Sequence, residues 1–319
     1  MSPRRVLVTG GAGFIGSHVA EAYLARGDRV WIVDDLSTGR LENVPEGAEF
    51  IRMDIRDAKL DDVFRDAGGF DLVSHHAAQM DVRKSVADPR MDASINLDGL
   101  LNVLECGRRH GVGRFVFISS GGVIYGEATE FPTPEDAVKR PLSPYGVAKL
   151  ASEYYLNCYR SLHGLDYVAL RYGNVYGPRQ DPHGEAGVVA LFSRRIGAGE
   201  PLIVYGTGEQ TRDYVYVGDV VDAHLLVSDA GSLAADGIDE RAYNVGTGVE
   251  TTVNELAHRL MEVSGRDARV EHAAPRAGEL QRSCLDVARL RALGWEPRTT
   301  LREGLARTFA YIQGEGAGR

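Results

Sequence analysis

Residues 5–16, Arg-Val-Leu-Val-Thr-Gly-Gly-Ala-Gly-Phe-Ile-Gly, decide the fold of this chain. Arg5 to Thr9 read as a short, fully buried strand, Gly10 to Gly16 as a glycine-rich turn, and Ser17 to Arg26 as a helix. The glycines differ in what they do. Gly10 makes the tight turn, Gly13 admits a pyrophosphate close to the backbone, and Gly16 lets helix and strand pack closely. The free N–H groups and positive end of the following helix suit an anion. Asp34 follows Gly16 by 18 residues, at the end of a second predicted strand, Arg29 to Val33. A carboxylate there accepts hydrogen bonds from an adenosine ribose and repels a 2′-phosphate, so Asp34 with Asp35 favours NAD over NADP. Arg40 nearby tempers that preference slightly. Asp54 and Ile55, after the third strand, suit an adenine edge, although a turn Asp accounts for the pattern equally well.

Outward from this nucleus the alternation continues. Strands are predicted near 49–53, 71–75 and 114–119, and helices near 60–67 and 93–110. A helix from Tyr145 to about His163 precedes a strand at 167–172. Alternating strands and helices with short loops imply parallel βαβ units and right-handed crossovers. Beyond Asn174 the texture changes, with helices at 188–198, near 219–228, 253–264 and 301–313, short β segments at 201–205 and 242–245, and otherwise irregular chain. The expected class is α/β, a Rossmann-type doubly wound parallel sheet with a smaller C-terminal α/β lobe. Residues 1–172 form the dinucleotide domain, with 215–250 returning to it; 173–214 and 251–319 form the lobe. The tail from Gly314 is expected to fray.

With 36 Lys and Arg against 45 Asp and Glu over 319 residues, the formal charge is −9, which opposes nucleic acid and anionic membrane surfaces as general partners. Apolar types at 44% and charged types at 25% are globular values and exclude disorder. Cys106, Cys158 and Cys284 are too few and too widely spaced for a disulfide framework or metal cluster, so a reducing cytosol fits. The first apolar run breaks at glycines too early for a signal peptide, and no stretch of about 18 apolar residues predicts a membrane span. The histidines show no metal-ligand spacing.

Tyr145-Gly-Val-Ala-Lys149 places a phenol and an ammonium at i and i+4, on one helical face. A free phenol titrates near 10 and is a poor base at neutral pH; Lys149 and a cationic nicotinamide both favour the phenolate. Tyr145 then becomes a general base for an alcohol under oxidation. Ser119 and Ser120 end a strand at the side of the sheet where ligands bind, and either hydroxyl can serve cofactor, substrate or strand-end capping.

On these residues the chain resembles the extended short-chain dehydrogenase/reductases, and within them the nucleotide-sugar 4-epimerases. The resemblance runs over nearly the whole chain: the Gly10–Gly16 loop, Asp34-Asp-Leu-Ser-Thr-Gly39, His76-Ala-Ala78, Asn96, Ser143-Pro-Tyr-Gly-Val-Ala-Lys149, Arg171-Tyr-Gly-Asn-Val-Tyr-Gly-Pro178, Thr211-Arg-Asp-Tyr214 and Leu293-Gly-Trp295. It implies that Tyr145 takes the sugar 4-OH proton while the C4 hydride passes to bound NAD. The 4-keto sugar then turns about its phosphate linkage and is reduced on the other face. UDP-glucose and UDP-galactose are the implied substrates, and Lys149 is implied to hold the nicotinamide ribose. Implied cofactor contacts also include Gly10, Gly13, Phe14, Ile15, Gly16, Asp34, Asp35, Ser37, Thr38, Gly39, Asp54, Ile55, His76, Ala77, Ala78, Gln79, Asn96, Ser119 and Tyr172. For the nucleotide sugar they include Ser120, Gly121, Asn174, Gly187, Val188, Tyr205, Arg212 and Arg276; the planar guanidinium suits phosphate oxygens. Ser283 falls where some members carry a bulky residue near the sugar, and a small side chain there leaves room for an N-acetyl group.

The chain departs from the family at Gly121. Many members carry a catalytic Ser or Thr there, four residues before Tyr125, so the proton-shuttling hydroxyl must come from Ser120, Ser119 or water. Related dehydratases carry Asp-Glu at the next two positions and related decarboxylases carry Glu at the second. Gly122 and Val123 stand here, which favours simple epimerisation. Another nucleotide-sugar epimerase of the family is the alternative, either one specific for N-acetylhexosamines or a UDP-glucuronate 4-epimerase, the latter needing a cation for the C6 carboxylate from Arg83, Lys84 or Arg195. A non-catalytic NAD sensor is a second, opposed by the joint presence of Tyr145 and Lys149. The family commonly pairs two helices across a two-fold axis, which implies a homodimer; the apolar positions Leu97, Leu100, Leu101, Leu104, Leu150, Tyr154, Tyr155 and Tyr159 are otherwise core.

Overall fold

The computed structural model describes residues 3–182, 187–231, 236–275 and 280–314. Twelve strands and twelve α-helices lie within these residues, with a 3₁₀ turn at Leu41–Asn43 and a π-helical stretch at Ser94–Asp98. The first half runs β1 (Arg5–Thr9), α1 (Phe14–Ala25), β2 (Arg29–Asp34), β3 (Glu49–Arg52), α2 (Leu60–Asp66), β4 (Leu72–His75), α3 (Val82–Ala87), α4 (Pro89–Ala93), α5 (Gly99–Arg109), β5 (Arg114–Ser120), α6 (Gly121–Ile124), α7 (Pro144–His163) and β6 (Tyr167–Tyr172). The second half runs β7 (Asn174–Tyr176), α8 (Val188–Ala198), β8 (Leu202–Tyr205), β9 (Thr211–Tyr216), α9 (Val217–Asp229), β10 (Ala242–Val245), β11 (Glu250–Thr252), α10 (Val253–Ser264), β12 (Val270–Ala273), α11 (Ala288–Ala292) and α12 (Leu301–Ile312).

Seven strands form one sheet in the order β10-β6-β5-β4-β1-β2-β3. Pairings β1 with β2 and β4, β2 with β3, and β4 with β5 are parallel. The chain winds outward from β1 in one direction and then from β4 in the other, so the order reverses between them. That reversal opens a crevice at the carboxyl ends of β1 and β4. Val6, Leu7, Val8, Ile32, Val33, Val73, Phe115 and Leu170 are fully buried, as expected of strands covered on both faces.

Two compact units result: residues 1–124, 139–171 and 221–243 make the first, and 125–138, 172–220 and 244–319 the second. The expected breaks near 172, 214 and 250 stand at 171, 220 and 243 in this division, and 125–138 leave the first domain. Asn244 shows why the late segment and 125–138 go together: its N–H donates to Glu135 (2.9 Å), and its Nδ2 donates to the carbonyls of Thr133 (2.9 Å) and Asp286 (3.0 Å). In the second unit α8, α10 and α12 pack on each other around Phe192, Leu256, Leu260, Leu305 and Phe309. Sheets β11-β9-β7 and β12-β8 complete it, so the chain expected to be irregular holds β7, β9, β11 and β12. Residues 315–319 of the tail lie outside the described residues. Among the described residues no helix is long and apolar enough to cross a membrane.

Candidate active site

The first unit carries the glycine loop at the carboxyl end of β1. Gly10 has φ +68° and donates to the Val33 carbonyl at 2.8 Å. A Cβ on Gly10 would stand 2.6 Å from the Ala77 nitrogen, and one on Gly16 only 2.3 Å from the Gly10 carbonyl oxygen. Both approaches exclude any larger residue. Gly13 caps α1 without a side-chain hydrogen bond, so the first amides of the helix point outward as an anion cradle. Asp34 closes the β2 end: its Oδ2 accepts from Ala12 N–H (3.0 Å) and its Oδ1 from Leu36 N–H (2.9 Å). Burial raises its pKa, while those two amides favour the charged form. Each oxygen keeps a lone pair for a ribose hydroxyl. The cradle, the uncapped helix and the carboxylate fit NAD.

Other expected cofactor residues are engaged locally. Asp35 accepts from Ser37 N–H at 2.8 Å and shapes the 35–39 turn, and a Cβ on Gly39 would sit 2.8 Å from Asp34 Oδ1. Asp54 pairs with Arg56 (2.5 Å), which holds its carboxyl below the usual range, so this side chain is committed to its neighbour rather than free for an adenine. The Ile55 side chain is core: a Cβ on Gly99 would meet its Cδ1 at 2.5 Å. His76 Nε2 shares Ser74 Oγ with His224 Nε2 (2.8 and 3.0 Å), while His76 Nδ1 is buried without a partner. Thr9 Oγ1 meets His75 Nδ1 at 2.8 Å. Burial lowers His75 and His224 to about 3 and keeps the rings neutral.

Tyr145 is set at the start of α7. Ser143 caps the helix by accepting from Gly146 N–H (3.1 Å), and Pro144 takes the first helical position, where no N–H is needed. A Cβ on Gly146 would strike the Val123 carbonyl at 2.9 Å, so only glycine lets Tyr145 come this close to the α6 turn. Lys149, one turn on, is buried; its Nζ donates to the Ile118 carbonyl (2.8 Å) and lies 4.8 Å from the Phe117 ring centre and 5.8 Å from that of Tyr145. Burial lowers Lys149 to about 8 against the pull of Asp92 and Glu153. Burial, and then the charge of Asp92, push the Tyr145 phenol above its ordinary value, so the phenolate expected from Lys149 and a cationic nicotinamide together leans on the nicotinamide charge. A further positive charge beside the ring is needed to ionise it.

The two serines separate. Ser119 Oγ donates to Glu153 Oε1 at 2.5 Å, and Glu153 pairs with Arg171 at 2.6 Å; both charged residues are fully buried. Arg171 continues to Asp239 (2.8 Å), which meets Lys139. Ser119, expected among the shuttle hydroxyls, is instead part of this chain of charges. Ser120 is half-buried at the end of β5, beside Gly121 and Gly122.

A second network holds the loop after β4. Gln79 N–H donates to Asn96 Oδ1 (3.0 Å), and Asn96 Nδ2 returns to the Gln79 carbonyl (3.0 Å). Gln79 Nε2 and Asn96 Nδ2 both reach Asp92 Oδ1, at 2.8 and 3.0 Å. Asn96 sits in a π-helical stretch, Ser94–Asp98, inside the helix expected at 93–110. Such bulges re-aim one side chain and recur at functional sites. Asp92 and Glu153 were not among the expected site residues, although Tyr145, Lys149 and Glu153 follow at i, i+4 and i+8, and Asp92 precedes Asn96 by four.

In the second unit, Asn174 opens β7 opposite Tyr214, Tyr172 is buried, and Val188 begins α8 behind an uncapped Gly187. Tyr205 ends β8, and Arg212 lies in β9 with Nη1 on the Thr211 carbonyl (2.7 Å). Ser283 is buried. Arg276 lies outside the described residues. Asp213 is the organiser of this region: its two oxygens accept from Thr247 N–H and Oγ1 (both 2.7 Å), Gly248 N–H (3.0 Å) and Leu285 N–H (3.2 Å). Among the cations considered for a C6 carboxylate, Arg83 is exposed beside Asp81, Lys84 is exposed, and Arg195 donates to the Pro201 carbonyl (2.8 Å).

Residues 6–246 match the NAD dependent epimerase/dehydratase family. The chain is 45% identical to the UDP-glucose 4-epimerase of Thermotoga maritima, solved with UDP-glucose, at a TM-score of 0.93 over 98% of this chain and 99% of that one. It is 48% identical to the Thermus thermophilus UDP-glucose 4-epimerase, solved with NAD, at 0.90 over 97% and 99%. The UDP-N-acetylglucosamine 4-epimerase of Methanobrevibacter ruminantium follows at 34% and 0.91, over 99% and 100%. The chain therefore belongs to the NAD dependent epimerase/dehydratase family, and its cofactor is NAD.

Proposed function

We propose that this family member is a UDP-hexose 4-epimerase that interconverts UDP-glucose and UDP-galactose. The observation that carries the reading is the Tyr145–Lys149 face of α7, set against an α6 turn that has Gly122 and Val123 where an eliminating enzyme needs acids. In this reading the outward amides of α1 hold the pyrophosphate of NAD, Asp34 holds the adenosine ribose, and Lys149 turns its remaining Nζ protons to the second ribose. NAD, when bound, supplies reversible two-electron oxidation at C4. Tyr145 accepts the 4-OH proton and returns it after the sugar has turned, so one residue serves both directions. Ser120 is the hydroxyl left to relay that proton, because Ser119 is committed to Glu153.

Asn174 and Arg212 contribute to the grip on the diphosphate. Ser283, buried and small, favours acceptance of N-acetylated hexosamines as a second substrate class. A homodimer through α7 is supported by an exposed stripe on that helix, Val147, Tyr154 and Leu162, at 53%, 58% and 69% exposure. Tyr145→Phe tests the chemistry: turnover of UDP-galactose should fall by at least ~100-fold while NAD remains bound. Full activity in that variant would overturn the assignment.

A further inference from the structure

Lys149 and Phe117 are both buried, at 4% and 1% exposure. Phe117 and Ser119 stand two residues apart on β5, so their side chains share one face of the sheet. Helix α7 covers that face: Glu153 accepts from the Ser119 hydroxyl, and Lys149 Nζ stands over the Phe117 ring, 4.8 Å from its centre. An ammonium has three protons to place, and one goes to the Ile118 carbonyl at 2.8 Å. Among the described residues no carboxylate comes within salt-bridge distance of Nζ. Glu153 is taken by Arg171 at 2.6 Å, and Asp92 Oδ1 is taken by Gln79 and Asn96. A buried cation without an ion-pair partner is costly. What stands against this one is an aromatic ring, whose face is the negative part of its quadrupole.

We propose that Phe117 is a positioning residue: its ring face takes the place of a counter-ion and holds the Lys149 ammonium charged beside Tyr145. Nζ lies 5.8 Å from the Tyr145 ring centre, so both rings are within cation–π reach of one ammonium. Phe117 is itself fixed. It pairs in register with His75 of β4, the two rings lie at 17° with centres 6.0 Å apart, and His75 Nδ1 meets Thr9 Oγ1 at 2.8 Å. A ring suits this place better than an acid. A carboxylate here would offset the field of the ammonium at Tyr145, whereas a ring stabilises the cation without adding net charge, so the whole charge acts on the phenol. The titratable groups around Lys149 are Tyr145 and Glu153 on α7, Asp92 on α4, and the neutral His75 and His76 at and after the end of β4. Asp92 is a weak source of charge, because burial raises its own pKa. Arg83 and Lys84 of α3, Arg90 of α4 and Asp98 of the π-helical stretch are exposed. Burial brings Lys149 down to about 8, and the Phe117 ring works in the opposite direction.

The inference rests on the proposed roles of Tyr145 and Lys149, and the test separates the two. Mono-, di- and trifluorinated phenylalanine in place of Phe117, introduced into the full chain, keep the shape of the ring and strip its face of negative potential in steps. The chain has four lysines, Lys59, Lys84, Lys139 and Lys149, so ¹³Cε spectra of the labelled holoenzyme are sparse, and Lys149→Arg identifies the Lys149 resonance by its loss. The Lys149 midpoint should fall stepwise along the series, by about one pH unit at the trifluorinated ring. Phe117→Leu, which deletes the ring, should lower it at least as far; should that variant fail to fold, the fluorinated proteins carry the test alone. A ring that only packs would cost Tm in Phe117→Leu and leave the Lys149 midpoint in place along the fluorinated series, and that result would overturn the proposal. In the turning-over enzyme the alkaline limb of the pH–kcat profile should follow the lysine midpoint down. A midpoint that steps down beneath a stationary alkaline limb would leave Phe117 as the ring that holds Lys149 and remove Lys149 from the proton step. The lysine titration holds whichever sugar is turned over, and even if none is.

Discussion

Replacing Ser119 and Ser120 one at a time by alanine should separate stability from chemistry. Ser119 Oγ donates to Glu153 at 2.5 Å inside a fully buried charge network. A hydrogen bond to a charged group contributes about 1.5–3 kcal/mol, and here no water can replace it. Ser119→Ala should therefore cost about 2 kcal/mol and lower Tm by roughly 4–8 °C, at about 2–4 °C per kcal/mol for a unit of this size. Its kcat should stay within about tenfold, because Lys149 keeps its acceptor at Ile118 and Arg171 still holds Glu153. Ser120 is half-buried, and its replacement should change stability by less than about 0.5 kcal/mol. If it relays the proton for Tyr145, kcat should fall by about 100-fold or more. Thermal melts by circular dichroism and initial rates with UDP-galactose read the two effects separately. The reverse pattern, with Ser119→Ala inactive at an unchanged Tm and Ser120→Ala fully active, would overturn this division between the serines.

Three further outcomes follow from the geometry. Gly16→Ala places a Cβ 2.3 Å from the Gly10 carbonyl oxygen, backbone that cannot swing away, so nucleotide extracted after gel filtration should drop to below about one tenth of the wild-type amount; full retention would contradict the cradle. His75 and His224 titrate near 3 in the fold against about 6.5 unfolded, so the unfolded chain takes up protons that the fold refuses. Stability is complete above about pH 6.5 and falls towards pH 3, with a limiting slope of about 2.7 kcal/mol per pH unit for the two; urea midpoints between about pH 7.5 and 5 measure it, and a flat profile would exclude the neutral pair. Asp213→Ala removes the acceptor for four donors and leaves buried amides unpaired, which should cost about 3–5 kcal/mol in urea unfolding; a loss below about 1 kcal/mol would show that the loops at 247 and 285 hold without it.

The Rossmann half was legible because its signals are local. A buried apolar run, glycines at fixed offsets and an acid after the next strand each sit within a few residues of the contact they make, and the strand at 167–172 and the helices at 188–198 and 253–264 match their expected ranges. The Ser143–Gly146 start of α7 was legible for the same reason. The misses are long-range. β9 pairs with β7 and β11, so Thr211–Tyr216 becomes a strand through partners some 35 residues away on each side, and nothing in its own periodicity says so. The π-helical turn at Ser94–Asp98 keeps helical spacing on both sides, so a single helix reads equally well in sequence. Ser119 and Ser120 are the same residue type in adjacent positions, and only the burial of Glu153 across the helix–sheet interface tells them apart. Asp92 and Glu153 were hidden because a carboxylate at helical spacing usually marks a solvated face, and their burial depends on the fold being complete.

Everything proposed for the site comes down to whether this chain inverts C4 of a UDP-hexose with its own resident NAD. Purified protein mixed with UDP-galactose and no added cofactor, followed by proton NMR of the sugar, decides it. UDP-glucose should appear, with the same final ratio reached from either sugar. No conversion from either side, with NAD bound to the protein or supplied in excess, would overturn the proposed activity.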